Sequence, residues 1–150
     1  MQQRGIFHWT LVDKDPKRLK MDNKEFRAFR KALNKTQKQI AELLGTSIKA
    51  VHSYEQGWRN VPAHVERQLF FLVSRLRGEY TKQKPCWTIK KCPTERKHKC
   101  PAWEFNAGKL CWLINGTICE GMVQKGWKEK MELCRSCDVL KSVQFPRSGE

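Results

Sequence analysis

The sequence has no long apolar run. Its longest uninterrupted apolar stretch, Leu69 to Val73, is far shorter than the roughly 20 residues that a membrane-spanning helix needs. The N-terminal residues also lack the continuous apolar core of a secretory signal peptide. We therefore expect a soluble, cytoplasmic protein that does not use a membrane as its partner.

The motifs of common enzyme classes are absent as well. There is no phosphate-binding loop, no dinucleotide-binding glycine pattern and no strained serine elbow, and the four histidines are scattered along the chain. No set of residues therefore stands out as catalytic, and no small-molecule substrate can be identified. We expect a binding protein rather than an enzyme.

Acidic residues are scarce relative to basic residues. Fifteen Asp and Glu face thirty Lys and Arg, which gives a formal net charge of +15 at pH 7. Such an excess favours a polyanionic partner, of which double-stranded DNA is the first candidate. The alternative is a basic soluble protein with no nucleic-acid partner.

Cysteine is missing from the first 85 residues, and all seven cysteines follow Pro85. A shift in composition of this kind marks two modules that are stabilised in different ways. The polar segment 78–85, which a proline closes, is the natural linker between them. The sequence divides into a basic N-terminal arm (1–20), a helical DNA-binding domain (21–77), the linker (78–85), a cysteine-rich domain (86–140) and a C-terminal tail (141–150).

The helical domain carries the start and stop signals of four or five short helices. Asp22 with Glu25, and Thr36 with Gln39, form N-terminal capping pairs, because the first side chain can accept from the amide three residues later. Gly45 is expected to end the second helix in the left-handed conformation that glycine tolerates.

Apolar residues in this domain recur at helical spacing. A third helix is predicted from Ser47 to Gln56, with Gly57 after its end, and Pro62 suits the first turn of a last helix. The faces expected to be buried contain Phe26, Phe29 and Leu33, then Ile40, Ala41 and Leu44, then Val51 and Tyr54, and finally Val65, Leu69, Leu72, Val73 and Leu76. The pattern predicts an all-α helix-turn-helix bundle.

The segment TQKQIAELLGTSIKAVHSYEQGWRNVP resembles the Cro/Xre (lambda-repressor-like) family of DNA-binding domains, over residues 21–77. The resemblance implies that the helix starting near Ser47 is a recognition helix whose N-terminal side chains reach base edges in the major groove. It also implies double-stranded DNA as the partner and allows for a homodimer on two half-sites.

Several side chains are candidates for DNA contact. Lys49 can donate to guanine O6 and N7, and Ile48 can contact a thymine methyl group; Gln37 resembles the family residue that binds phosphate. The full set is Gln37, Lys38, Ser47, Ile48, Lys49, His52, Ser53, Trp58 and Arg59. Alternatively, His52 is simply solvated and Trp58 packs on Tyr54. The basic side chains of the arm, Arg4, Lys14, Lys17, Arg18 and Lys20, are interpreted as a loosely ordered tail.

The cysteines follow the spacing C-x5-C-x7-C-x10-C-x7-C-x14-C-x2-C. An odd number cannot pair off completely as disulfides, and thiols stay reduced in the cytoplasm. Short cysteine-rich modules are commonly held by a metal centre. The candidate ligands are Cys86, Cys92, Cys100, Cys111, Cys119, Cys134 and Cys137. An iron–sulfur cluster is favoured over zinc, because only one C-x-x-C knuckle is present, and reduced or disulfide-bonded cysteines are the third alternative.

The residues CWTIKKCP…CPAWEFNAGKLCWLINGTICEG…CRSC resemble the two-CW domain, a small cysteine-rich module, over about residues 85–140. The resemblance implies a sensory or regulatory module. The sequence therefore predicts a transcriptional regulator with an N-terminal all-α helix-turn-helix bundle and a small, irregular, metal- or cysteine-stabilised C-terminal domain that senses redox state or metal. The alternative is a DNA-binding protein whose second domain is a structural zinc clip or a protein-docking surface.

Overall fold

The computed structural model describes residues 20–76 and 83–142. These described residues form two compact units, one within residues 20–76 and the other within residues 83–142. We call residues 20–76 the helical unit and residues 83–142 the cysteine-rich unit. The predictions for arm residues 1–19, for linker residues 78–82 and for tail residues 143–150 lie outside the described residues.

The helical unit contains four helices in its described part. They are α1 (Asn23–Ala32), α2 (Gln37–Leu44), α3 (Ile48–Gln56) and α4 (Ala63–Leu76). The capping box at the start of α2 is confirmed, since the Thr36 hydroxyl accepts from the Gln39 amide at 3.1 Å and the Gln39 side chain accepts from the Thr36 amide at 3.0 Å. Gly45 ends α2 with φ +66°, as predicted.

The core of the helical unit is made by the faces that the periodicity predicts, with one correction in α4. Phe70 is fully buried against Phe29, with ring centroids 5.2 Å apart, whereas Leu76 is 48% exposed. Leu72 is half-buried. The prediction that Leu72 and Leu76 belong to the buried face of α4 was therefore wrong. The buried face instead combines positions 65, 69 and 73 with positions 66, 70 and 74.

The cysteine-rich unit consists of short elements joined by turns. They are α5 (Cys86–Ile89), α6 (Thr94–Lys99), α7 (Pro101–Glu104), a 3-10 turn (Cys111–Leu113), β1 (Thr117–Cys119), β2 (Met122–Gln124), α8 (Trp127–Cys134) and α9 (Asp138–Lys141). The two strands pair antiparallel, with Ile118 opposite Val123. The irregular character expected for this part of the chain is thus confirmed.

Small and sulfur-containing side chains make much of the interior of this unit. Cys100, Ala102, Cys111 and Val139 form a buried cluster, and Trp112 and Met131 are fully buried. Within residues 20–76 and 83–142, none of the helices has the length and apolar character that crossing a membrane requires.

Candidate nucleic-acid interface and cysteine cluster

Helix α3 is anchored by its inner face and presents the opposite face to solvent. Val51 is fully buried and Tyr54 is 4% exposed, while Ile48, Lys49 and His52 are exposed. The turn between α2 and α3 is short because Gly45 adopts the left-handed conformation there. The exposed row therefore lies on a helix whose orientation is fixed by the core beneath it.

The two serines of the predicted contact set take part in the hydrogen bonding of α3 itself. Ser47 is the N-cap, and its hydroxyl accepts from the Ala50 amide at 3.0 Å. Ser53 is half-buried, and its hydroxyl donates to the Lys49 carbonyl at 2.9 Å. A DNA contact by either hydroxyl stays a prediction, and in each case the hydroxyl is already hydrogen-bonded to the backbone of α3.

Trp58 projects from the loop that follows α3. It is 70% exposed, and its ring meets His52 edge-on with centroids 5.5 Å apart. The cation over the Tyr54 ring is Arg59, at 5.7 Å from the centroid. The alternative in which Trp58 packs on Tyr54 was therefore wrong: Trp58 and Arg59 are both exposed beside α3.

A polar network on the buried side of α3 was missed by the sequence analysis. The Glu55 carboxylate, 4% exposed, accepts from the Arg30 guanidinium of α1, including Arg30 Nη2 at 3.1 Å, and from Gln37 Nε2 of α2 at 3.0 Å. Arg27 Nη2 also donates to the Glu55 carbonyl at 3.0 Å. Glu55 thus connects the first three helices.

The charge state of Glu55 follows from this network. Burial alone would raise the pKa of its carboxyl, but the hydrogen bonds from Arg30 and Gln37 and the charges of Arg30 and Arg27 outweigh burial and lower the pKa. Two arginines three residues apart in α1 and a glutamate in α3 are the sequence features from which this network could have been predicted. Gln37, predicted to bind phosphate, donates to Glu55 here, and its contact with DNA stays a prediction.

The cysteines of the second unit converge on two cavities that share Cys86, Cys111, Cys119 and Lys90 in their walls. The outer cavity has a volume of about 90 Å³ and also contains Cys92 and Cys100. The inner cavity has a volume of about 20 Å³ and also contains Cys134 and Cys137. All seven predicted ligands thus line one or both cavities, although they lie as far apart in sequence as positions 86 and 137.

The thiols are close enough to shift one another's ionisation. A hydrogen bond from the Cys111 thiol lowers the pKa of Cys86, and the same contact together with burial raises the pKa of Cys111 well above its ordinary value. Burial raises the pKa of Cys119, and it raises that of Cys134 to about 12. Among the described residues, no group of three or more Cys, His, Asp or Glu side chains is already placed to hold a metal ion.

Gly108 lets two cysteine-bearing segments approach closely. Its carbonyl accepts from the Cys86 amide at 2.7 Å, and a Cβ at Gly108 would lie 2.5 Å from Trp87 Cζ3 and 2.6 Å from Pro85 Cβ. No side chain other than hydrogen fits at this position without displacing the start of α5.

Gly108→Ala is therefore expected to lower the free energy of unfolding of the cysteine-rich unit by about 1–3 kcal/mol, the usual cost of overpacking. Denaturant unfolding, with hydrogen exchange assigning the transition to residues 83–142, measures the change. Gly126→Ala is the matched control, because nothing lies within 4 Å of a Cβ added at Gly126. If the two variants lost the same free energy of unfolding, Gly108 would not be in tight contact with Pro85 and Trp87.

In comparison with known proteins, a helix-turn-helix family model matches residues 26–63. The matched segment starts within α1, contains all of α2 and α3, and ends at the first residue of α4. It identifies a Cro/Xre-like helix-turn-helix, the kind of domain that DNA-binding transcription regulators carry. The match ends before the cysteine-rich unit, so the resemblance of that unit to two-CW domains stays a prediction. None of the curated proteins or solved structures compared with the chain matches it.

Proposed function

We propose that the chain is a sequence-specific DNA-binding transcriptional regulator whose α3 enters the major groove. The observation that carries this proposal is the division of α3 into a buried face around Val51 and Tyr54 and an exposed row that starts at its N-terminus. Recognition helices of this fold read base edges with their N-terminal residues. The net charge of +15 supplies attraction to phosphate over the whole chain.

The exposed side chains are suited to different parts of the duplex. Lys49 is exposed and can donate to guanine, while Ile48, 49% exposed, can meet a thymine methyl group. Lys38 at the start of α2, and Trp58 with Arg59 after α3, would make sugar and phosphate contacts, which position the helix without reading sequence. A homodimer would use two half-sites about 34 Å apart.

Lys49→Ala tests the assignment of base reading to α3. On a preferred site selected from random duplex, the variant is expected to lose about 1–3 kcal/mol of binding free energy, with little loss on random DNA. Fluorescence anisotropy at several salt concentrations measures both affinities. For the unmodified chain, six phosphate contacts would give a slope of about −5 in log affinity against log salt.

Lys38→Ala is the matched control, since a phosphate contact contributes equally on every sequence. It is expected to weaken both complexes by the same factor and to make the salt slope shallower by about one. Equal losses of Lys49→Ala on preferred and random DNA would instead make Lys49 a phosphate contact and remove α3 as the reader.

We further propose that the cysteine-rich unit binds a metal centre, with an iron–sulfur cluster as the first candidate and zinc as the second, and that it makes the regulator responsive to redox state or metal. The support is the convergence of seven free thiols on two adjoining cavities. Thiolates are the ligands that both kinds of centre prefer. Such a centre would supply either a redox equilibrium or a structural cross-link.

The metal content and visible spectrum of anaerobically purified chain test this part of the proposal. A broad visible band that dithionite bleaches would identify an iron–sulfur cluster, and a colourless protein with stoichiometric zinc would identify zinc. Should the protein contain neither metal, even after reconstitution, the proposed centre would be rejected. A structural zinc clip or a docking surface without sensing is the alternative function, and it predicts operator affinity independent of the state of the cysteines.

A further inference from the structure

Five of the seven cysteines surround the inner cavity of the cysteine-rich unit. We call them the inner cluster: Cys86, Cys111, Cys119, Cys134 and Cys137. The other wall residues of this cavity are Trp112, Leu133, Val139 and Leu140, which are apolar, and Lys90. Among the described residues in its wall, Lys90 is thus the only ionisable side chain apart from the thiols.

The inner cluster draws one thiol from each of five places in the chain. Cys86 opens α5, Cys111 opens the 3-10 turn, Cys119 ends β1, Cys134 ends α8 and Cys137 precedes α9. The two remaining cysteines differ in their surroundings. Cys92 lines only the outer cavity, and so does Cys100, whose sulfur already accepts from the Ile118 amide at 3.3 Å.

A buried lysine provides a second, independent observation. Lys130 of α8 is fully buried, and its Nζ donates to the Thr117 hydroxyl at 2.6 Å. Among residues 20–76 and 83–142, no carboxylate forms an ion pair with Lys130. The same Thr117 hydroxyl accepts from the Cys119 thiol at 3.8 Å, so one hydroxyl group connects Lys130 to the inner cluster.

A buried ammonium group without an anion is costly, because burial removes its hydration. A hydroxyl acceptor replaces only part of that hydration and carries no charge. The Cys119 thiol, which shares the Thr117 hydroxyl with Lys130, would become such an anion on binding a metal ion. Metal binding deprotonates its thiol ligands, so the placement of Lys130 fits a unit in which inner-cluster thiols bind a metal and the buried ammonium is a nearby counter-charge.

We propose that four cysteines of the inner cluster hold the metal centre, that Cys92 and Cys100 lie outside its ligand set, and that Lys130 is its buried counter-charge. This inference rests on the proposed metal binding and assigns the residues that perform it. Four thiolates around a divalent ion, or around a [4Fe–4S]²⁺ cluster, carry a net charge of −2. Fully buried Lys130 would offset part of that charge; Lys90 lies in the cavity wall and also pairs with Glu120 at 3.5 Å.

Lys130 is thus a positioning residue, which acts on the metal centre through its charge. Zinc and an iron–sulfur cluster would both be held by four thiolates. The identity of the metal is decided by metal analysis of the same preparation, in which zinc and an iron–sulfur cluster both satisfy the assignment. A disulfide between Cys86 and Cys111 is the competing outcome, because the thiols of these two residues contact each other.

The main experiment is differential alkylation of the full chain, prepared anaerobically, before and after metal removal by a chelator. Iodoacetamide labelling is read at each cysteine by peptide mass spectrometry. In the metal-loaded chain, four inner-cluster thiols are expected to be labelled at least fivefold less than Cys92, and they are expected to lose this protection when the metal is removed. Cys92→Ser is expected to retain full metal content, and Cys134→Ser is expected to lose most of it.

Three results would overturn the assignment. One is loss of the metal on replacing Cys92 or Cys100 by serine, which would leave the proposed metal binding intact but change its ligand set. Another is an intact Cys86–Cys111 disulfide in the metal-containing protein. The third is the absence of any metal from the chain, which would also remove the metal part of the proposed function but not DNA binding by α3.

Lys130→Met tests the counter-charge separately. In competition with a chromogenic chelator, this variant is expected to bind metal at least tenfold more weakly, whereas Lys128→Met, on the exposed side of α8, leaves the affinity unchanged. Equal affinities for both variants would reject the role of Lys130. If Lys130→Met does not fold, Lys130→Arg and Lys130→Gln are compared instead. Lys130→Arg keeps the charge and is expected to retain the metal, whereas Lys130→Gln is expected to lose it; equal metal content in the two variants would reject the role of Lys130.

Discussion

Replacing Glu55 by glutamine is expected to lower the free energy of unfolding of the helical unit by about 2–4 kcal/mol at neutral pH. The carboxylate is 4% exposed and its main partner Arg30 is 17% exposed, so the substitution leaves a largely buried guanidinium without its anion. Denaturant unfolding followed by helical circular dichroism measures the loss, with hydrogen exchange assigning the transition to residues 23–56.

Glu42→Gln is the matched control, because Glu42 is exposed on α2 and undergoes the same change of charge. It is expected to change stability by less than about 0.5 kcal/mol. If both variants were equally stable, the network around Glu55 would contribute only what an exposed charge contributes.

The stabilisation by Glu55 is also expected to depend on pH. Its pKa in the folded chain is lowered, so the folded state binds the proton less readily than the unfolded state does. The contribution is therefore complete above the unfolded carboxyl pKa of about 4.3 and is lost as the pH falls through the lower, folded value. The difference in stability between the unmodified chain and Glu55→Gln should shrink over that acidic range.

The second large effect is expected from replacing both Cys134 and Cys137 by alanine. The C-x-x-C pair is the best pre-organised chelate in the chain, so the double variant should lose the metal, and the cysteine-rich unit should melt because binding and folding of such modules are coupled. The helical unit should stay folded, since its core contains no cysteine. Metal analysis and hydrogen exchange of the full chain measure both outcomes.

Operator affinity of the same variant separates the two proposed functions. If the cysteine-rich unit is a sensor, the selected site should be bound with an affinity changed by roughly 5–150-fold relative to the metal-loaded chain. Cys92→Ser, which lies outside the proposed ligand set, should bind the site normally. Indistinguishable affinities for metal-loaded, metal-free and oxidised protein would reject sensing and leave a structural or docking role.

Local signals determined much of the helical unit. The Thr36 and Gln39 side chains accept hydrogen bonds from amides within their own turn. Gly45 adopts a left-handed backbone conformation that other residues adopt only at a cost. These interactions depend on residues at most a few positions apart, so the sequence alone places the start and end of α2. The same reasoning identified Val51 and Tyr54 as inward and Ile48 and Lys49 as outward.

A helix-turn-helix with an exposed row on α3, and a separate cysteine-rich part of the chain, thus follow from the sequence alone. Three features depend on tertiary packing: Glu55 joins three helices, Phe70 rather than Leu76 lies in the core, and buried Lys130 donates to the Thr117 hydroxyl. Capping and periodicity act within one or two turns of helix, so they leave a readable pattern. Contacts between residues far apart in sequence depend on how the elements pack, and neither the spacing of the cysteines nor the position of a lysine records that packing.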